Sequence, residues 1–510
     1  MIVSFEFIYM HKNRILGDFL EFYALKSGMK FSIFDDGKKI TLFIEGEEKE
    51  CLNFADNYMK YIPTSVFLKQ PSVKVVEKMH KNNFKSSGVK FPNITPSVVY
   101  NFADNKGALI ENEFGILSQV SIFYSGKFVA VNKDNFTEIL TFAYKHLSHY
   151  QSIIIKYNDD EIALSADINF NKSRVIIPTN PLSISKMFAP DESSLNALAS
   201  YEKPVVNLKL NAIFRKNHSE APCFFDVKLP EDIFTYALCA KLYNDHIFFL
   251  CANFDSEIFK IALTKTSQII INHGKFLSKS NADFINGKND KNLALFGLKS
   301  AELGALDRKI LRVFLSKKNA DKILIYDENS EKSFLKISIP KNFEAIKEKI
   351  VSSETGKKLF QNFSADFDFP KGEIADDTPN FYTIFEICAQ ILYGKNAEIL
   401  LQNALLFNGE KGVRLDFKVE NGEFDMVLLI KNAMSYRLAG VDEKLLSFGF
   451  IDSLAYFISD FMDDIQSDFG FDLAIFEGTL FENKKLANNV LELTAKNYNA
   501  KFSYQYGLEI

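Results

Sequence analysis

At 510 residues, with 47% hydrophobic and 25% charged residues, the chain has the make-up of an ordinary folded protein and is too long for one core, so about three domains are expected. A net charge of −5 with lysine and glutamate interspersed leaves no basic stripe, which excludes nucleic acid as the expected partner. The five cysteines, at 51, 223, 239, 251 and 388, are too widely spaced for a paired-cysteine zinc site or a disulfide ladder and read as small buried hydrophobes. No continuous apolar run of about 18 residues stands out, so no membrane span is expected. The opening MIVSFEFIYMHKNRILGDF lacks the basic-then-apolar order of a signal peptide, and a cytoplasmic location follows as the expectation.

In chain order, Val3, Phe5 and Phe7 alternate with Ser4 and Glu6, the period of a strand. Gly17 to Ser27 carries Phe19, Leu20, Phe22, Tyr23 and Leu25 at helical spacing, and Gly28 supplies the residue that ends a helix. FSIF and KKITLFIEG are strands around an Asp35-Asp36-Gly37 turn. A helix over about 50–61 and the strand SVKVVEK complete a βαββαβ unit by about residue 78. From about 79 to 120 the chain is richer in Asn, Ser, Gly and Pro and reads as a linker or reduced insert.

A helix from Asn135 to Tyr150, strands in SIIIKY and KPVVNLKL, a helix in LPEDIFTYALCAKL and a strand in HIFFLCAN follow. The last third begins near Lys291. It is expected to hold the strand DKILIYD, one long helix from Phe381 to Leu406 and a β-pair in VRLDFKVENGEFDMVLLI. A helix through the 450s and 460s, the strand FDLAIFEG and a helix in LFENKKLANNVLELTAKNY complete it. Strand–helix alternation on this scale gives an α/β multidomain class.

Unaided, the residues offer little chemistry. His146 and His149 share a helix face but lack a third ligand, so no metal is expected. The acidic pairs Asp35/Asp36, Asp159/Asp160, Asp376/Asp377 and Asp463/Asp464 are adjacent residues that diverge on any regular element, and they read as solvated turns. Walker A, GxGxxG, HExxH and GxSxG patterns are all missing.

Several stretches, in order, resemble the HypF-type hydrogenase-maturation carbamoyltransferases. MHKNRILGDFLEFYALKSGM resembles the phosphate loop and helix of an acylphosphatase-like domain. SYEKPVVNLKL, SEAPCFFDVKLPEDIFTYALC and LCAN are similar to the PIVLL, APG…LPYTPLHHLL and TSAN stretches of a YrdC-like domain. DTPNFYTIFEICAQILYG and LAIFEGTLFENKKL are similar to TSSxGRLFDAVAALLG and SGGVFQNRLL of a TsaD-like domain of the actin type, keeping Thr378, Phe385, Glu386, Gly478, Phe481 and Asn483. The resemblance implies a ferredoxin-like acylphosphatase-type domain over 1–78 and a linker over 79–120 in place of zinc fingers. A YrdC-like α/β domain over 121–290 and a truncated TsaD-like domain over 291–510 would follow.

That family uses carbamoyl phosphate and ATP and passes the carbamoyl group to a cysteine of a partner maturation protein. Here much of the machinery is replaced. Gly17 stands where the catalytic Arg would fall, leaving Lys12 and Arg14 as the charge, and Asp35 stands at the catalytic Asn position. Lys156 is kept, but YNDDE follows it in place of a Gly-Gly loop; Lys172 and Arg174 read as remnants of a basic helix. Asn253 survives from the Ser-x-Asn turn with Cys251 in the serine place. The seven histidines form no metal motif, and an Asp-Gly-Gly loop is not expected before Ile510. Replacing cradling glycines by carboxylates repels a polyanion. The resemblance therefore implies a catalytically degenerate accessory protein with no catalytic residues, cofactor or metal, partnered by a hydrogenase subunit or maturation proteins. The alternative is a weak carbamoyl- or nucleotide-transferring enzyme with a remodelled pocket of Lys156, Lys172, Arg174 and Asn253.

Overall fold

In the computed structural model, which describes the chain apart from residues 70, 87–92, 105–111, 116–117, 158–159, 170–174, 255–257 and 328–329, the amino-terminal alternation forms strand β1 (Ile2–Ile8). It is followed by α1 (Ile15–Ser27), β2 (Lys30–Asp35), β3 (Lys39–Glu45), α2 (Glu48–Asn57) and β4 (Ser72–Val76). The four strands form an antiparallel sheet in the order β2-β3-β1-β4, with Phe5 opposite Leu42 on one side and Val73 on the other. α1 ends at Gly28 in the left-handed conformation, as its sequence predicts.

The chain divides into two compact units, residues 1–261 with 273–276, and residues 262–272 with 277–510. Besides the four-stranded sheet, the first unit contains a larger mixed sheet. Its central order runs Val205–Lys209, Phe224–Val227, Val175–Pro178, Phe249–Phe254, Asp160–Ser165, Ile153–Tyr157 and Val120–Tyr124. The helices Phe136–Ser148 and Ile233–Asn244 bury Ile139, Leu147, Phe234 and Leu238 in a common cluster with Ile153, Ile155 and Leu164 from one face of this sheet. The segment read as a linker includes a helix, Pro96–Asp104, whose Val98 is fully buried.

The second unit is built on a four-stranded sheet in the order Ser330–Ser333, Lys322–Asp327, Ile310–Phe314, Leu473–Glu477. The last two strands are parallel and the other pairings antiparallel. A large helical layer accompanies it, and the structure corrects two expectations there. The long helix from Phe381 to Leu406 is two helices, Phe381–Tyr393 and Ala397–Leu406. Gly394 takes a left-handed conformation (φ 62°) that closes the first, and Asn396 caps the second by accepting from the Ile399 N–H.

The β-pair shrinks to Val419–Glu420 and Glu423–Phe424 around Asn421-Gly422, and MVLLI opens a helix, Met426–Leu438. Asp425 accepts from the Leu428 N–H, and this cap settles an apolar run that fits either period. Finally, Glu443–Phe469 is, among the described residues, the one helix long and apolar enough by composition to cross a membrane. Some 67% of its most apolar stretch is buried inside the protein, as in a core helix.

Candidate functional site

The loop between β1 and α1 places Arg14 just before the first helical turn. Its guanidinium does not face solvent. Nε donates to Asp35 Oδ2 at 2.7 Å and Nη2 closes on Asp35 Oδ1, while Nη1 donates to the carbonyls of Tyr9 (2.9 Å) and His11 (3.1 Å). Arg14, one of the two cations left at this loop, is thus spent on the carboxylate that stands at the expected Asn position. A phosphate offered here would have to displace a two-point ion pair. Gly17 is covered as well: a Cβ built on it would meet the Phe84 ring at 2.2 Å. His11 packs against the rings of Phe67 (4.2 Å between centroids) and Phe276, and burial pushes its imidazole down to about 4.

The middle sheet brings together two of the predicted site residues. In Ile153–Tyr157 the odd positions are buried and Lys156 lies on the other face. Lys156 pairs with Glu161 and Asn253 pairs with Ala163, and Glu161 and Ala163 are two residues apart on one strand. Cross-strand partners share a face, so Lys156 and Asn253 share one, roughly 12 Å apart by ordinary strand spacings. Lys156 Nζ also lies 5.8 Å from the Phe128 ring centroid. Exposed Glu161 beside Lys156 opposes an anion on this face. Lys172, Arg174 and Asp159 lie outside the described residues.

On the opposite face is a cavity of about 40 Å³, lined by Ile155, Tyr157, Leu164, Leu238, Cys239 and Leu250 and bordered by Lys228, Glu231 and Asp232. The charges around it are mutually occupied. Lys228 Nζ donates to Glu231 Oε2 at 3.2 Å and to the Lys203 carbonyl, and Lys275 Nζ donates to Glu231 Oε2 at 2.8 Å. Burial raises the Glu231 carboxyl, but the two lysines overrule it and hold it at about 2. Burial lifts Asp232 to about 6 against hydrogen bonds from Gln119, Ser118 and Phe234, the last of which makes it the cap of Ile233–Asn244. Burial likewise pushes Lys203 down to about 7, while its Nζ donates to the carbonyls of Ala199 and Ser200. This cluster escaped sequence reading, though KLPED between a strand and a helix was its visible signal.

In the second unit the parallel strands Ile310–Phe314 and Leu473–Glu477 send two loops out side by side. Gly478 makes this possible: its φ is +96°, and an added Cβ would lie 2.0 Å from the Leu315 carbonyl oxygen. The loops converge on the Glu509 carboxylate. Oε2 accepts from the Thr479 N–H (3.0 Å), Thr479 Oγ1 (2.9 Å) and Ser316 Oγ (2.9 Å), and Oε1 accepts from Asn319 Nδ2. Beneath them Glu477 receives Lys299 Nζ at 2.7 Å and Arg312 Nε at 2.6 Å, with all three side chains almost wholly buried. Among the described residues no group of three His, Cys, Asp or Glu side chains is placed to hold a metal ion. His146 and His149 turn Nδ1 to the carbonyls of Phe142 and Lys145.

Two solved structures share this architecture from end to end. Full-length HypF in its phosphate- and nucleotide-bound form aligns with 100% of this chain and 96% of its own, with a TM-score of 0.59 and 11% identity. HypF of T. kodakarensis aligns over 99% and 96%, with a TM-score of 0.62 and 9% identity. The chain has the full-length HypF fold. In sequence it is 26% identical over 371 residues to Protein HydE of Wolinella succinogenes, and is a distant homologue of it. That alignment spans 66% of this chain and 66% of the HydE chain, just under two thirds of the relative. No family model matches. Within the HypF-like fold this chain sets Asp35 against Arg14 and Glu509 across the loop pair.

Proposed function

We propose that this protein is a cytoplasmic accessory factor for maturation of nickel–iron hydrogenase, acting as a catalytically degenerate scaffold that binds a hydrogenase subunit or other maturation proteins. The observation that carries this reading is the Arg14–Asp35 ion pair, which ties up the loop guanidinium in a chain that keeps the whole HypF fold. Distant homology to HydE supports it. On this reading residues 1–78, 121–290 and 291–510 are acylphosphatase-like, YrdC-like and TsaD-like modules kept as a framework, with 79–120 between the first two. Affinity capture of the intact protein from its own host is expected to recover hydrogenase subunits or maturation proteins, and deletion of its gene to lower hydrogenase activity. A deletion strain with full hydrogenase activity defeats the proposal.

A second reading rests on the shared face of Lys156 and Asn253, whose separation suits a small ligand. With Lys172 and Arg174 they would form the pocket of a weak carbamoyl- or nucleotide-transferring enzyme. Calorimetry with ATP and with carbamoyl phosphate separates the two. Saturable binding lost in Lys172→Ala favours the enzyme, and no heat with either ligand favours the scaffold.

A further inference from the structure

We propose that β4 is a self-complementary edge through which two copies of this chain associate, strand against antiparallel strand, about a two-fold axis at Lys74. β4 ends the order β2-β3-β1-β4, and among the described residues no strand lies on its far side. The hydrogen bonds of β1 fix which groups of β4 are left over. The Gly46 N–H donates to the Met1 carbonyl and the Tyr9 N–H to the Lys38 carbonyl, so the odd residues of β1 bond to β3 and its even residues to β4. Ile2, Ser4 and Glu6 lie opposite Val76, Lys74 and Ser72, which leaves the N–H and C=O groups of Val73 and Val75 pointing away from the sheet.

The same two residues carry exposed apolar side chains. Val73 lies opposite Phe5 and Val75 opposite Val3, so both stand on the face where Phe5 packs against Phe54 of α2. Phe5 and Val3 are 4% and 7% exposed, whereas Val73 and Val75 are 61% and 68% exposed. The core face of the sheet thus runs one strand beyond its helical cover. Edge strands are ordinarily protected by a charge or a proline. Here the charge, Lys74, points to the other face, where its Nζ meets Glu6 at 3.0 Å.

A second copy fits this edge in one register. With Lys74 opposite Lys74 of the copy, Val73 falls opposite Val75 and Val75 opposite Val73. Both become hydrogen-bonded pairs, and every outward N–H and C=O of the valines is satisfied. The four valines close into one apolar cluster beside Phe5 and Val3, and the two lysines that meet across the axis each keep Glu6 as a counter-charge. The neighbouring registers fail. A slip of two residues one way sets Val73 against Glu77, and the other way sets Val75 against Pro71, which has no N–H to give. A slip of one residue turns the valines to opposite faces. A contact of one short strand covers less than the roughly 1,000 Å² of a stable interface, so the association is weak and concentration-dependent.

Sedimentation equilibrium of the full chain up to about 1 mM tests this. A monomer–dimer equilibrium is expected, weakened at least about tenfold in Val73→Asp/Val75→Asp, whose sites are exposed. Register is read by cross-linking. Under mild oxidation Lys74→Cys should form a disulfide-linked dimer at least about fivefold faster than Val73→Cys, because residue 74 meets itself across the axis while residue 73 lies about 9 Å from its own copy, beyond disulfide reach. A chain that stays monomeric throughout overturns the proposal. So does a dimer indifferent to the paired aspartates, or cross-linking of Lys74→Cys no faster than that of Val73→Cys. If the aspartate variant fails to fold, the unaltered chain and the two cysteine variants decide.

Discussion

Arg14 and Asp35 face one another as a two-point ion pair at the mouth of the loop that precedes α1, with side chains only 10% and 16% exposed. Both halves are needed, because either charge alone would be left in a poorly solvated place. Asp35→Ala and Arg14→Ala are each expected to destabilise the first unit by about 3 kcal/mol. The paired replacement Arg14→Met/Asp35→Leu should recover part of that loss, read as a coupling energy in denaturant titrations. Near-additive losses would mean that the pair contributes little.

Glu477 is the hub of the second unit's buried charge. Its carboxylate accepts from both Lys299 and Arg312, whose side chains are 1% and 2% exposed. Glu477→Ala leaves two cations facing each other in the interior, and a loss of about 3 to 5 kcal/mol is expected. Lys299→Met should cost less, since Arg312 still balances the carboxylate. Chemical denaturation of the two variants checks the order.

Gly478→Ala tests the turn directly. The added methyl would meet the Leu315 carbonyl at 2.0 Å in a backbone conformation that other residues rarely adopt. A loss above about 2 kcal/mol in the second unit is expected. A crystal structure of a folded variant should show Leu315 displaced.

His11 makes the first unit acid-sensitive. Its ordinary value of 6.5 applies in the unfolded chain, and burial brings it to about 4 in the folded one. Between these values the unfolded chain binds more protons, so stability falls as the pH drops through this window. The accumulated loss is about 3 kcal/mol by pH 4, and replacement by the uncharged His11→Leu should flatten that slope in urea midpoints taken from about pH 7 to about pH 4.5.

Much of this architecture was legible in the chain. Alternation, glycine caps and the Asp-Gly turn place the first six elements within a few residues of their observed bounds. The break in Phe381–Leu406 was also written, as Gly394 followed by Asn396, but the apolar period runs unbroken across it and masks the caps. MVLLI was read with the wrong period because five apolar residues fit a strand or a buried helix equally, and only Asp425 discriminates. Single charges inside ILRVF and LAIFEG were the signal for the buried pairing of Arg312 with Glu477. Which charge meets which follows from strand order, which local patterns do not encode. The hydrogen bonds that converge on Glu509 have no local signal at all, since their donors come from Ser316, Asn319 and Thr479. At the middle sheet, strand parity was enough to put Lys156 and Asn253 on one face once the register was known.

The parallel pairing of Ile310–Phe314 with Leu473–Glu477 also governs how the protein is born. Arg312 and Glu477 are separated by 165 residues. A ribosome needs on the order of ten seconds or more to make that interval. Until then an apolar strand bearing a lone guanidinium waits with one flank unpaired, an invitation to aggregation. Cooler growth and abundant chaperones should accordingly improve the recovered yield of the intact chain.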